Sequence, residues 1–257
     1  MIQYGKVVKI VDTRDSNKFY LRKIGNNPKV FEDHKGNVIK LDDIVNQDYG
    51  KIIKGYFIAK PSLDDFVLYY WKRKTQIIYP KDASYIISKM DINYNSKVLE
   101  IATGSGVMTL FLSKNLFPYG KIVSIEKNYE FLKNSVQNII DFDKTFDTNY
   151  LSVVEFFTAD NLDFLKCVKF DGVVLDLPNP EFLLDYFEVI LKPASFMVCV
   201  LPTVNQVISL LEKIRKNFVD ISVEEIIVRK YKTNPERMRP FDTMVAHTTY
   251  IISAKKM

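Results

Sequence analysis

Residues 97–112 read KVLEIATGSGVMTLFL. The stretch KVLEIAT has the apolar, β-branched character of a buried strand, and SGVMTLFLSKNL (105–116) reads as a helix. A turn of small residues joins them. Gly104 and Gly106 let the backbone turn sharply and come close to a ligand. The helix start offers free amides and the positive end of the helix dipole. A strand, a glycine turn and a helix in that order open a parallel α/β sheet with a ligand site at its carboxyl edge.

The same alternation continues downstream. Strands are predicted at 120–127, 151–160, 170–178 and 195–202. Helices are predicted at 128–142, around 161–168, at 180–192 and at 203–217. Two last strands, DISVEEIIVRKY (220–231) and HTTYIISAKK (247–256), predict an antiparallel edge on an otherwise parallel sheet. Upstream, KVVKIVD, KFYLRKI and KIIKGYFIAK are short strands separated by GNNP and HKGN turns. They predict a small β-barrel or sandwich. Ser62, with Asp65 three residues on, starts a linker helix, and KDASYIISKMD (81–91) resumes a helix after Pro80. The expected organisation is a small all-β domain with its linker helix over 1–70 and an α/β domain over 71–257.

Composition narrows the function classes. The chain has 257 residues, 47% of them hydrophobic and 26% charged. No apolar run reaches the roughly 18–20 residues of a membrane span, and MIQYGKVVKIVD is not a signal peptide, so a cytoplasmic protein without a membrane partner is expected. Cys167 and Cys199 lack metal-ligand spacing, and His34 and His247 cannot build a metal site alone, so no metal is expected. The thiols read as buried apolar groups. The net charge is +5. WKRK (71–74) sets three cations beside the only Trp. VRKYKTNPERMR (228–239) carries Arg229, Lys230, Lys232, Arg237 and Arg239 against Glu236. Cations interleaved with aromatic rings point to an RNA-facing surface.

The glycine turn chooses between two cofactor classes. A dinucleotide site wants G-x-G-x-x-G, but position 109 is Thr. Here the order is acid-x-small-x-Gly-x-Gly: Glu100, Ala102, Thr103, Gly104, Ser105, Gly106, with Val107 opening the helix. That order suits S-adenosylmethionine. Glu126, at the next strand end, stands where a carboxylate can accept both ribose hydroxyls. Asp160 ends the following strand, at the expected adenine edge. Lys127 and Asn161, beside these acids, join the expected cofactor contacts. The strand DGVVLDLPNP (171–180) puts Asp176 at the same sheet edge, ahead of two prolines that stiffen the backbone.

Taken together these segments resemble the tRNA (adenine-N1)-methyltransferases that act on position 58 of the T-loop. The resemblance covers nearly the whole chain. It is carried by DDFVLYY (64–70), TQIIYPKDASYII (75–87), VLEIATGSGVMTLFLS (98–113), DGVVLDLPNP, LPTVNQV (201–207) and RMRPFDTMVAHTTYIISAKK (237–256). Ala102 and Ala194 stand where the family has glycine, and Phe131 replaces a polar residue. The resemblance implies a class I S-adenosylmethionine-dependent fold, a tRNA substrate and a homotetramer. It gives Asp176 the catalytic role, at the border with the cofactor. It places Gln76, Tyr79, Pro80, Pro178, Asn205, Arg239, His247 and Thr248 on the substrate side. Three rivals remain on the sequence: a methyltransferase for another acceptor, a non-catalytic tRNA-binding subunit, and a nicotinamide dehydrogenase. The retained cofactor turn, Glu126 and Asp176 disfavour the second. The missing third glycine disfavours the last.

Overall fold

The computed structural model describes residues 1–15, 17–25, 30–34, 36–159 and 162–257. The chain forms two compact units. The first comprises Met1–Arg73 and Val136–Leu151. Its strands are β1 (Val7–Asp12), β2 (Phe19–Lys23), β3 (Val30–Glu32), β4 (Val38–Lys40), β5 (Ile52–Ile53) and β6 (Tyr56–Ala59). Four of them form an antiparallel sheet in the order β2-β1-β6-β5, and β3 pairs with β4 separately. Where the sequence predicts a small β-barrel or sandwich, the described residues give a four-stranded sheet and a hairpin that share one core. Val8, Ile10, Phe31, Ile39, Tyr56 and Ile58 make its core.

Ser62 caps α1 (Leu63–Asp65) in a reciprocal capping box with Asp65. A π-helical turn, Phe66–Tyr70, follows. Trp71 is buried, its ring edge-on to Phe66 at 6.0 Å. It is therefore a core residue and not part of an RNA-facing surface, while Lys72, Arg73 and Lys74 are exposed. The sequence drew the domain line at 70. The structure carries the first unit to Arg73 and adds 136–151. The reason is packing within this unit: Phe66 meets Phe142 at 5.4 Å and Phe146 at 5.7 Å. Lys6 and Lys23 also reach Asp147 at 2.6 Å and Asp141 at 2.7 Å.

The second unit comprises Lys74–Ser135 and Ser152–Met257. Its strands are β7 (Lys97–Ile101), β8 (Lys121–Ile125), β9 (Val154–Phe157), β10 (Phe170–Leu175), β11 (Leu191–Leu201), β12 (Phe218–Glu224) and β13 (Tyr250–Lys256). Its helices are α2 (Pro80–Met90), α3 (Val107–Leu116), α5 (Leu184–Ile190) and α6 (Val204–Ile214). The helix α4 (Tyr129–Phe146) begins here, and its residues from 136 on belong to the first unit. The sheet order is β12-β13-β11-β10-β7-β8-β9. Strands β9, β8, β7, β10 and β11 run parallel, and β13 is antiparallel to both β11 and β12. The closing pair β12–β13 thus forms the antiparallel edge that the sequence predicts, joined to the parallel strands through β11. Leu99, Val123, Val173, Phe187, Met197, Leu210 and Ile252 belong to one core around this sheet. Each such burial stabilises by roughly 1.5–3 kcal/mol.

Two sequence expectations shorten. β12 stops at Glu224, which pairs with Ile251 close to the start of β13, so beyond it no partner strand remains among the described residues. Residues 225–249 are irregular apart from a short turn, Pro235–Arg237, and a bridge between Tyr231 and Pro240. The helix expected around 161–168 is a single 3-10 turn, Asp163–Leu165. Chain order reverses between β7 and β10, because β8 and β9 lie to one side and β11 to the other. That switch point opens a crevice at the carboxyl ends of these two strands.

Candidate active site

The crevice is built by the backbone before any side chain contributes. The N–H of Asp176 donates to the carbonyl of Ile101 at 3.2 Å, so the end of β10 is tied to the end of β7 where the glycine turn begins. Ala102, Gly104 and Gly106 all have left-handed φ, at 68°, 56° and 85°. Close packing forbids a larger residue at Gly106, where a Cβ would stand 2.8 Å from Ser135 Oγ. No side chain caps α3, so the amides of its first turn are left for a ligand. Ser105 Oγ accepts the N–H groups of Lys74 and Thr75 at 3.1 Å each, which straps the 74–78 segment across the turn.

Two clefts meet here. One is lined by Gln76, Ile77, Ile78, Glu100 to Met108, Val174 and Asp176. The other, larger cleft is lined by Gln76, Ile77, Ile78, Tyr79, Asp82, Asp176, Val200, Pro202, Thr248 and Thr249. Asp176 and the Gln76–Ile78 strap belong to both.

The first cleft is acidic. Glu100 is buried, and its Oε2 accepts from Thr109 Oγ1 at 2.7 Å and Ser124 Oγ at 2.5 Å. Its Oε1 is buried without a partner. Burial pushes the Glu100 carboxyl up to about 7. The two hydroxyl bonds oppose that rise, and the charges of Asp176 and Glu126 add to it. Glu126 Oε2 accepts the Gly104 N–H, and Oε1 accepts the Asn128 N–H, both at 2.9 Å. Asp176 opens into the clefts, yet the surrounding protein leaves its carboxylate poorly hydrated, and this pushes it up to about 6. S-adenosylmethionine fits these residues. The orphan Glu100 oxygen, the uncapped α3 amides and the small residues of the turn suit a ligand with an ammonium, a sulfonium and an adenosine. The cleft lining holds two carboxylates and no cationic side chain.

The expected residues divide by place. Glu100, Ala102, Thr103, Gly104, Ser105, Gly106, Val107 and Asp176 line the first cleft. Glu126 reaches it through Gly104. Gln76, Tyr79 and Thr248 line the second. Asp160 and Asn161 lie outside the described residues. Lys127 is exposed and off both clefts. Pro80 is buried as the first residue of α2, where it has a helix-starting place and no cleft surface. Pro178 is exposed, and its carbonyl accepts from Gln206 at 3.1 Å. Asn205 is exposed in the first turn of α6, and Arg239 pairs with Asp242, both away from the clefts. His247 is exposed and off the cleft lining: its ring nitrogens face Glu225 Oε2 and the Pro202 carbonyl, each at 3.1 Å. Cys167 and Cys199 are both free thiols; Cys199 is buried but Cys167 is exposed, against the expectation for the latter. No group of three metal-binding side chains occurs among the described residues. Sequence reading gave Asp82 no role. The one available signal was a charged Lys81–Asp82 pair in an otherwise apolar stretch.

Known proteins share this architecture. The chain is 35% identical to the tRNA (m1A58) methyltransferase TrmI of Aquifex aeolicus, with a TM-score of 0.85 over 100% of this chain and 98% of that one. A SAM-dependent O-methyltransferase of Thermotoga maritima gives 29% identity and a TM-score of 0.87, over 99% of this chain and 94% of that one. The tRNA (adenine(57)-N(1)/adenine(58)-N(1))-methyltransferase TrmI of Methanocaldococcus jannaschii is 29% identical over 85% of each chain. Residues 59–255 match the family model described as tRNA methyltransferase complex GCD14 subunit, a span that holds the glycine turn, Glu126, Asp176 and the 225–249 excursion, and the chain belongs to that family.

Proposed function

We infer that the protein is a tRNA (adenine-N1)-methyltransferase that uses S-adenosylmethionine and acts on adenine 58 of the T-loop. The observation that carries this reading is the place of Asp176, on the wall common to an acidic cofactor cleft and a larger, mostly apolar cleft. S-adenosylmethionine supplies an electrophilic methyl group on a sulfonium. Adenine N1 carries an in-plane lone pair and no proton, so no base has to act before attack. Ionised Asp176 accepts a hydrogen bond from the exocyclic N6 amine and so orients N1. As N1 gains the methyl, the ring becomes cationic, and the same carboxylate stabilises that charge. Ile77, Ile78, Val200 and Pro202 supply an apolar lining that excludes water around the base.

Adenine 58 has to leave its stack to enter the cleft, at a cost of a few kcal/mol. Contacts to the rest of the tRNA offset that cost. The exposed cations Lys72, Arg73, Lys74, Arg229 and Lys230 suit such contacts. The first unit serves as an RNA-binding module in this reading, and the second unit as the catalytic one. A homotetramer suits the exposed apolar side chains of Ile227, Tyr231, Met238, Phe241 and Val245 along the 225–249 excursion. The protein works in the cytoplasm in this reading; no helix among the described residues is long and apolar enough to cross a membrane.

The test is incubation of unmodified tRNA with the protein and labelled S-adenosylmethionine, followed by mapping of the modified nucleoside. 1-Methyladenosine at position 58 is expected. Label on a ribose hydroxyl, or none in tRNA, overturns the reading. Mapping position 57 in the same digest decides between single-site and two-site action.

A further inference from the structure

The second cleft contains a buried charge that the reaction does not use. Asp82 is 0% exposed, yet it contributes to the cleft wall. Its Oδ1 accepts from Lys81 Nζ at 2.8 Å, and its Oδ2 accepts from Thr248 Oγ1 at 2.8 Å. Lys81 Nζ also donates to Thr248 Oγ1 and to the carbonyl of Ile226, each at 2.6 Å. The three donors of the ammonium therefore meet three oxygens. The Thr248 hydroxyl gives its one proton and takes another. The cluster joins the first turn of α2 to both ends of the 225–249 excursion: Ile226 just after β12 and Thr248 just before β13.

A buried ion pair is an inefficient way to gain stability, since an apolar set of the same volume often does as well or better. What the cluster does offer is a fixed geometry. Thr249 Oγ1 is committed as well, to the carbonyl of Leu201 at 3.0 Å. With Thr248, Thr249 and Asp82 engaged inside the protein, this side of the cleft meets a base by shape. Hydrogen bonding to the base falls to Asp176, Gln76 and Tyr79, which line the same cleft.

We propose that Lys81, Asp82 and Thr248 form a positioning latch that closes the 225–249 excursion onto the base cleft and sets its width, so that an extruded adenine presents its N6 amine to Asp176. The proposal rests on the adenine-N1 reading above. The latch acts on orientation, because Lys81, Asp82 and Thr248 are not among the residues lining the cofactor cleft. A misplacement of about 1 Å can cost on the order of 100-fold in rate.

The test compares wild-type protein with Thr248→Val, Thr248→Ser and Lys81→Met, on unmodified tRNA at saturating S-adenosylmethionine. Thr248→Val deletes one hydroxyl at nearly constant volume. It and Lys81→Met are expected to lower kcat by about 10- to 100-fold, with cofactor Kd within about twofold of wild type. Thr248→Ser, which keeps the hydroxyl, should recover most of the rate. Amide exchange should quicken over 225–249 in Lys81→Met but not over 97–126. A Thr248→Val kcat within twofold of wild type overturns the latch, as does a loss of kcat matched by an equal loss of cofactor affinity. Wild-type protein that forms no 1-methyladenosine strikes the tRNA reading instead and takes the adenine role of the latch with it.

Discussion

Glu126 Oε2 accepts the backbone N–H of Gly104 at 2.9 Å, across the gap between the ends of β8 and β7. The carboxylate thereby fixes the middle of the turn that has to receive the cofactor, and each of its oxygens keeps a lone pair for a ligand hydroxyl. Glu126→Gln puts an amide NH2 where one of two oxygens now faces an N–H. Cofactor Kd is expected to rise about 10- to 100-fold, the equivalent of one or two charge-assisted hydrogen bonds. Equilibrium dialysis with labelled S-adenosylmethionine checks this, and an unchanged Kd removes Glu126 from the cofactor site.

Asp176→Asn keeps the shape of the residue and loses the charge. A drop in kcat of about 10²- to 10³-fold is expected, with cofactor affinity changed far less. Because the Asp176 carboxyl of the ligand-free protein sits up at about 6, the wild-type kcat/KM for S-adenosylmethionine should rise as pH increases through 6 and level off above it. The Asn variant should lack that limb. The same rise in both proteins would assign the titration to another group.

Stability should move with pH in the opposite sense. In the folded protein burial pushes the Asp176 and Glu100 carboxyls up to about 6 and about 7, above their ordinary values of 3.8 and 4.5. A raised carboxyl favours the protonated folded state. Its contribution is full below about pH 4 and is lost as pH rises through 6 to 7. The ligand-free Asp176→Asn protein should therefore gain on wild type in urea midpoint between pH 4.5 and 8. A constant difference across that window contradicts the assignment. S-adenosylmethionine, a cation beside these carboxylates, should narrow the gap at pH 8.

Ala102 and Ala194 hold left-handed backbone, with φ of 68° and 61°. A side chain there costs about 1–2 kcal/mol, against which glycine loses about 0.4–1 kcal/mol through its freer unfolded chain. Ala194 is exposed and remote from both clefts, in the stretch of β11 where register with β10 shifts. Ala194→Gly should stabilise by up to about 1 kcal/mol with kinetics unchanged. Ala102→Gly should stabilise similarly and also alter cofactor affinity. Destabilisation by Ala194→Gly, in thermal or urea melts, contradicts the strain account.

The central α/β pattern was legible because each strand is a short apolar run closed by a turn signal, and Glu100 to Val107 carries its chemistry in consecutive residues. Asp176 was legible for the same reason, as an acid ending an apolar run before Pro178 and Pro180. Residues brought together by long-range packing were not. The sequence shows Asp82 beside Lys81, but not Thr248, which stands 166 positions away. Trp71 reads as a surface aromatic among cations, and only its contact with Phe66 shows it to be core. The second half of α4 looks continuous with the first, and the salt bridges of Asp141 and Asp147 decide its unit. The extent of β12 depended on where β13 begins, which no local pattern fixes.

The place of β13 between β11 and β12 also has a consequence for synthesis. Among the described residues β12 pairs with β13 alone, and β13 follows it after 25 intervening residues, 225–249. On the ribosome, β11 keeps one bare edge and β12 waits unpaired until Tyr250–Lys256 has emerged. Tyr250–Lys256 closes both gaps at once, and its pairing brings Thr248, two residues ahead of it, into place against Asp82. The base cleft is therefore completed well after the cofactor turn is available. A ribosome stalled before residue 248 holds a chain with the turn for S-adenosylmethionine and no finished wall to receive RNA.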